Sequence, residues 1–230
     1  MRVQENPALD VAISIASFHE CQLLVYQELD CRNEYSSDRH HTFVLEGAAD
    51  VQNHLALKGI SYAFHLSSNR DKPSPLPSLA HQAELVITEE MPTTFARKEL
   101  EVLNDSTETP LMCVDASCVL PMQLSNAAFT RAFEYRKATK DEYDKRISFP
   151  WPTTQRSSHS FQIESLPFEP VNFESANFTE LIATCEIDHS IPPVADTRGG
   201  STAGYQRWAS FKAKQLSQYA SDRNDPLLSG

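Results

Sequence analysis

Apolar residues recur along the first half of the chain in two rhythms, one of period near 3.6 and one of short continuous or alternating runs. Asn6 and Pro7 form a helix start, with Ala8, Leu9, Ala12, Ile13 and Ala16 following at helical spacing to about Glu20. Residues 22–29 (QLLVYQEL) form a short apolar run rich in strand formers, and the polar stretch 30–38 reads as a loop. Across 40–58, Phe43, Val44, Ala48, Val51, Leu55 and Leu57 fit a second helix, with Gly59 placed for a left-handed carboxyl cap. Strands are expected at 60–66, 84–88 and 111–115, with a loop at 69–77, a helical turn at 79–83 and a helix at 93–103 between them.

Strands alternating with helices specify a parallel sheet, because only a crossover returns the chain to pair in parallel. The expected fold is therefore α/β, a doubly wound, Rossmann-like sheet. Such units begin with a buried strand, whereas this series opens on a helix. The first strand is accordingly expected to be missing and the chain truncated at its front.

Beyond a polar helix at 127–146 the pattern changes. Residues 149–193 are rich in Pro, Ser and aromatic residues without a sustained period, as expected of an interdomain connector. Gly199-Gly200-Ser201-Thr202 then leads into a helix at 203–220 carrying Tyr205, Trp208, Phe211, Leu216 and Tyr219. A second domain is expected to start there.

The apolar fraction is 40% and the charged fraction 22%, and no apolar run approaches the length of about 18 residues that a membrane span needs. The polar amino terminus has no signal-peptide core, which makes the cytoplasm the expected compartment. Five scattered cysteines without a CxxC pair indicate neither a disulfide framework nor a zinc site, and buried reduced thiols are expected. His40 and His41 are adjacent on a helix and cannot face one metal, so they read as surface or helix-start residues. A net charge of −11 excludes a stand-alone module that grips nucleic acid through a basic surface.

Residues 198–230 (RGGSTAGYQRWASFKAKQLSQYASDRNDPLLSG) resemble the entry to the flavin domain of photolyases and cryptochromes: paired glycines, an aromatic-punctuated helix, then Tyr219, Arg223, Asp225-Pro226 and Gly230. Three further stretches agree in order and spacing. Residues 2–9 look like the R-x-x-(D/E)-N-x-A-L stretch of class II photolyases. Phe43-Val44-Leu45-Glu46-Gly47 looks like the family's F-M-L-x-G-L helix. Val114-Asp115 with Val119-Leu120-Pro121 looks like its V-D-x-x-x-(I/V)-(V/L)-P turn.

The resemblance implies an α/β antenna domain at 1–147, a connector at 148–197 and the truncated start of an all-α FAD-binding domain at 198–230. It implies FAD as cofactor, with Tyr219 as a contact and Arg223 reaching a phosphate. Arg223 read alone serves equally as a helix cap, and Tyr219 as a core aromatic. An antenna chromophore, deazaflavin or folate, and cyclobutane-dimer DNA bound through a carboxyl-terminal domain are further implications.

No catalytic residue falls within the chain, so the isolated chain is expected to lack repair activity. The alternatives are a pigment-binding α/β module, which would dock on a separately encoded FAD domain, and a cryptochrome-like light sensor. Gly199-Gly200-Ser201-Thr202 lacks the lysine and spacing of a phosphate loop and reads as a turn with a helix cap. Trp151 and Trp208 read as packing anchors.

Overall fold

The computed structural model describes residues 1–125, 127–149 and 165–225. Helices and parallel strands alternate as α1 (Pro7–Phe18), β1 (Leu24–Asp30), α2 (Asp38–Leu57), β2 (Ser61–Ser67), α3 (Leu76–Ala80), β3 (Val86–Glu89), α4 (Thr94–Ser106) and β4 (Leu111–Val114). The carboxyl-terminal part adds α5 (Ala132–Ser148), α6 (Phe178–Ala183), α7 (Ser201–Lys214) and α8 (Tyr219–Asp222).

The caps read from sequence form. The Asn6 side chain accepts the Leu9 N–H at 3.1 Å, and Pro7 supplies the fixed φ of a first helical residue. α2 ends at Lys58, and Gly59 adopts φ +64°, where a Cβ would be strained.

β1 pairs in parallel with β2 from Leu24 opposite Ser61 to Asp30 opposite Ser67. β3 pairs in parallel with β4 from Val86 opposite Leu111 to Glu89 opposite Val114. The α/β class and parallel pairing read from the sequence are thus present. Among the described residues the strands form two separate two-stranded ladders.

Side chains alternate across β1, so Val25 and Leu29 face one way and Tyr26 and Glu28 the other. Val25 joins Leu9 and Ile13 of α1, Val51 and Leu55 of α2, and Ile60 in one buried cluster. Leu29 joins Leu45, Ala48, Phe64 and Ile182 in another. α2 belongs to both, because its apolar stripe at 45, 48, 51 and 55 is inward along its length. On the opposite face, Ser74 donates to Glu28 at 2.5 Å and Phe168 stands edge-on to Tyr26.

Residues 165–193 of the aperiodic stretch pack against this core. Val171, Phe173, Phe178 and Ile187 lie on the Leu29 cluster, and the Val171 N–H bonds the Phe64 carbonyl along the outer edge of β2 at 2.9 Å. Without period 2 or 3.6, the pattern carried no sign of this burial. Trp151 lies outside the described residues.

Candidate functional site

The segments that set this sequence apart meet one another in two places. In the first, residues 198–202 dock on α2. The Gly199 N–H donates to Glu46 at 2.7 Å, and the Arg198 guanidinium lies 3.5 Å from the same carboxylate. Thr202 donates to Asp50 from its backbone N–H at 2.8 Å and from its hydroxyl at 2.5 Å. Two α2 carboxylates thus occupy the positive amino end of α7, so that end is filled from within the protein.

Glycine is required at 199 and 200 on the turn side of this seam. A Cβ on Gly199 would collide with the Phe43 carbonyl oxygen, and Gly200 sits at φ +102°. Gly47, one turn on from Phe43, lies beneath Gly200 with its own Cβ position 3.5 Å from the Gly200 nitrogen. Burial alone would raise the pKa of Asp50, but the two bonds from Thr202 and the nearby His54 outweigh it and hold the carboxyl below its ordinary value.

In the second place, the amino terminus meets the turn after β4. Arg2 donates to the Ala116 carbonyl at 2.7 Å and to the Glu5 carbonyl at 3.0 Å. Asp115 organises this turn by accepting the N–H groups of Ser117, Cys118 and Met122 at 3.1, 2.9 and 2.9 Å. Burial would raise the Asp115 pKa, and these three backbone donors lower it instead. Beside the turn opens a cavity of about 490 Å3 walled by Cys118, Leu120, Met122, Tyr135, Thr139 and Tyr143. It lies at the carboxyl end of β4, where open α/β sheets bind ligands.

Tyr219 and Arg223 lie elsewhere. The expected helix at 203–220 breaks after Lys214, and Tyr219 opens the short α8 with Arg223 one turn on as its carboxyl cap. The Tyr219 ring is 48% exposed and stands edge-on to Phe211 at 5.7 Å, while Trp208 stacks on Phe211 at 5.5 Å beneath the Lys212 ammonium. Tyr219 and Arg223 therefore share one side of the helix, joined by the Arg223 N–H donating to the Tyr219 carbonyl at 3.0 Å, at the end of a half-exposed aromatic face.

Sequence reasoning did not single out Glu46, Asp50 or Asp115 as individual residues, since surface carboxylates carry no local mark. It also placed His41 with His40. The structure exposes His40 and buries His41 completely, leaving both His41 ring nitrogens without a hydrogen bond among the described residues. Burial, reinforced by His40, pushes the His41 pKa down to about 4.

A polar cluster on β1 and β2 was likewise unmarked: Glu28 accepts from Tyr26 at 2.9 Å and lies 3.2 Å from His65. Burial opposes ionisation of Glu28, but the bonds from His65, Ser74 and Tyr26 bring its pKa below the usual value. Of the cysteines, Cys31 and Cys185 are buried free thiols as expected, whereas Cys21 and Cys113 are exposed. Burial pushes the Cys185 thiol up to about 11. No group of His, Cys, Asp and Glu among the described residues is arranged to hold a metal.

No family model matches the chain. A deoxyribodipyrimidine photo-lyase of Methanothermobacter thermautotrophicus is 22% identical over 227 residues, covering 99% of this chain and 48% of the relative. The chain is thus similar to a photolyase over nearly its whole length. The fold agrees: a crystal structure of an archaeal photolyase from Sulfolobus tokodaii, determined with two FAD molecules, superposes with a TM-score of 0.51 at 15% identity. That match covers 89% of this chain and 43% of the photolyase.

The chain thus spans about half the length of the photolyases it matches. The stretches that resemble photolyase motifs pair off in space, the 43–47 helix with the 198–202 turn, and the 2–9 stretch with the Asp115 turn. No helix among the described residues is long and apolar enough to cross a membrane.

Proposed function

We propose that this chain is the amino-terminal portion of a deoxyribodipyrimidine photolyase of the class II type, which repairs cyclobutane pyrimidine dimers with light and FAD. The observation that carries the reading is the docking of the Gly199-Gly200 turn on α2 through Gly47, Glu46 and Asp50. Four short motifs spread over more than 200 residues meet in two pairs, and at Gly199 the contact leaves no room for a side chain.

Within this reading the α/β part anchors the first helix of a flavin domain. Bonds from Gly199 and Thr202 to α2 fix where α7 starts, so the aromatic side of α7 and α8 is presented in one orientation. The half-exposed Tyr219 ring and the exposed Arg223 guanidinium fit a flat, anionic dinucleotide, the ring by packing and the cation by pairing with a phosphate. FAD, when bound, supplies the excited electron that splits the dimer, and the protein contributes position and electrostatics.

With a net charge of −11, the chain lacks the broad basic surface that holds a nucleic-acid backbone, so contact with damaged DNA is assigned to a further domain. The cavity beside the Asp115 turn is the candidate seat of an antenna pigment, deazaflavin or folate. Leu120 and Met122 would exclude water there, and Tyr135 and Tyr143 offer ring faces to a flat chromophore.

The test is repair of thymine-dimer DNA under blue light by the 230-residue chain alone and by the chain joined in frame to the remaining half of the Methanothermobacter relative. Repair by the joined protein alone is expected, with Tyr219→Ala weakening its FAD binding. Repair by the isolated chain, or none by a joined protein that has bound FAD, overturns the reading.

A further inference from the structure

We propose that His189 is a pH-operated clasp: as imidazolium it ties the strap of residues 188–192 to the amino end of α2, and as neutral imidazole it lets that strap lift away. The inference rests on α2 and the strap alone and is independent of the repair reading.

The first backbone N–H groups of a helix have no partner within the helix, and at α2 the strap supplies two of them. The Asp38 N–H donates to the Asp188 carbonyl at 3.3 Å and the Arg39 N–H to the Ile191 carbonyl at 3.1 Å, while the Arg39 guanidinium reaches the Pro192 carbonyl at 3.2 Å. In return the Asp188 N–H donates to the Ser36 carbonyl at 3.1 Å. The Asp188 carboxylate accepts the N–H and the hydroxyl of Ser190 at 2.8 and 2.6 Å, which folds the strap into a turn. Residues 188–198 are all exposed, so no buried apolar side chain holds the strap and polar bonds decide where it lies.

His189 makes this attachment depend on a proton. Its Nδ1 lies 2.7 Å from an Asp38 carboxylate oxygen and its Nε2 3.1 Å from the Cys185 carbonyl. Both partners are acceptors, so only the imidazolium, with an N–H on each nitrogen, satisfies both. A neutral ring has one N–H and turns a lone pair toward the other oxygen, which replaces a bond with a repulsion. The bond to Asp38, aided by the Cys185 carbonyl and the Asp188 charge, raises the His189 pKa above its ordinary value. The positive amino end of α2, Arg39, and His40 or His41 when protonated oppose the cation. Arg39 is turned to Pro192, and the buried His41 stays neutral down to about pH 4. The Cys185 thiol, pushed up to about 11, carries no charge in this range.

The chain beyond the strap is fastened a second time, by the bonds of Gly199 to Glu46 and of Thr202 to Asp50. Between the two fastenings Pro193, Val194 and Thr197 face Arg39, Phe43 and Glu46 across a cavity of about 360 Å3. Loss of a His189 bond therefore frees the near end while the far end stays, and the cavity widens along its strap wall. Because the folded pKa is raised, the hold is complete below about pH 6.5 and is lost as pH rises through the higher folded value.

The experiment is residue-resolved hydrogen exchange on the full chain at about pH 5.5 and about pH 9, with rates converted to protection factors by the intrinsic rate at each pH. The Asp38 and Arg39 amides, which bond the strap, lose about threefold in protection at the higher pH, the size expected of an exposed ion pair, while the Gly199 amide changes less than about 1.5-fold. His189→Gln, which has no titrating ring, abolishes the difference. Ring nitrogen shifts of His189 show the imidazolium persisting above about pH 6.5. Equal protection of the Asp38 and Arg39 amides at the two pH values in the unaltered chain overturns the proposal, as does a difference that survives in His189→Gln. A parallel loss at Gly199 means general loosening of the chain and overturns it too.

Discussion

Gly199 has no room for a side chain, since any Cβ there meets the Phe43 carbonyl oxygen of the helix on which it docks. Gly199→Ala forces the 198–202 turn off α2 and loosens the bonds to Glu46 and Asp50. The expected loss is about 1–3 kcal/mol, the usual cost of overpacking, read from urea denaturation midpoints. His41 makes a different prediction. Its folded pKa, pushed down to about 4, lies below the unfolded value near 6.5. The unfolded chain therefore binds the proton first, so stability is full above about pH 6.5 and falls as pH drops toward 4, by up to about 1.4 kcal/mol per pH unit. His41→Phe should flatten that part of the stability curve, measured by urea midpoints at a series of pH values. An unchanged slope would remove His41 as its source.

At the scale of elements, α2 is the spine of the molecule. It contributes Leu45, Ala48, Val51 and Leu55 to the two buried clusters and offers Glu46 and Asp50 to α7 from an adjacent face. Two of its leucines provide an internal contrast: Leu55 is wholly buried and Leu57 is 86% exposed. Leu55→Ala should cost about 2–5 kcal/mol, whereas Leu57→Ala should stay within about 0.5 kcal/mol, both by thermal or urea unfolding. The helical period placed both residues in one apolar set. Leu57 lies two positions beyond Leu55, about 200° around the helix, and so faces solvent.

At the scale of the whole molecule, the parts differ in how completely they cover themselves. The amino-terminal clusters close around α2, while α7 and α8 leave Tyr205, Trp208, Leu216 and Tyr219 about half-exposed on a polar scaffold. An exposed apolar face of this kind is an association site. The chain should self-associate at high concentration through this face, and Trp208→Gln should weaken association about tenfold by sedimentation velocity, the loss of about 1.4 kcal/mol. Association unaffected by Trp208→Gln would locate the contact elsewhere.

The sequence by itself determined the succession of helices and strands, the α1 cap at Asn6, the Gly59 turn and the parallel class of the pairing. Each of these depends on residues a few positions apart, and local sterics and periodicity leave their mark directly in the chain. The resemblance of its motifs also pointed to the family. Only the tertiary structure decided that the strands form two ladders, that residues 171–187 belong to the core, and that His41 is buried beside an exposed His40. It alone decided that the glycine turn at 199–200 is held by Glu46 and Asp50. Those facts rest on contacts between residues far apart in the chain or on which side of a helix meets a neighbour, and neither is written in local pattern.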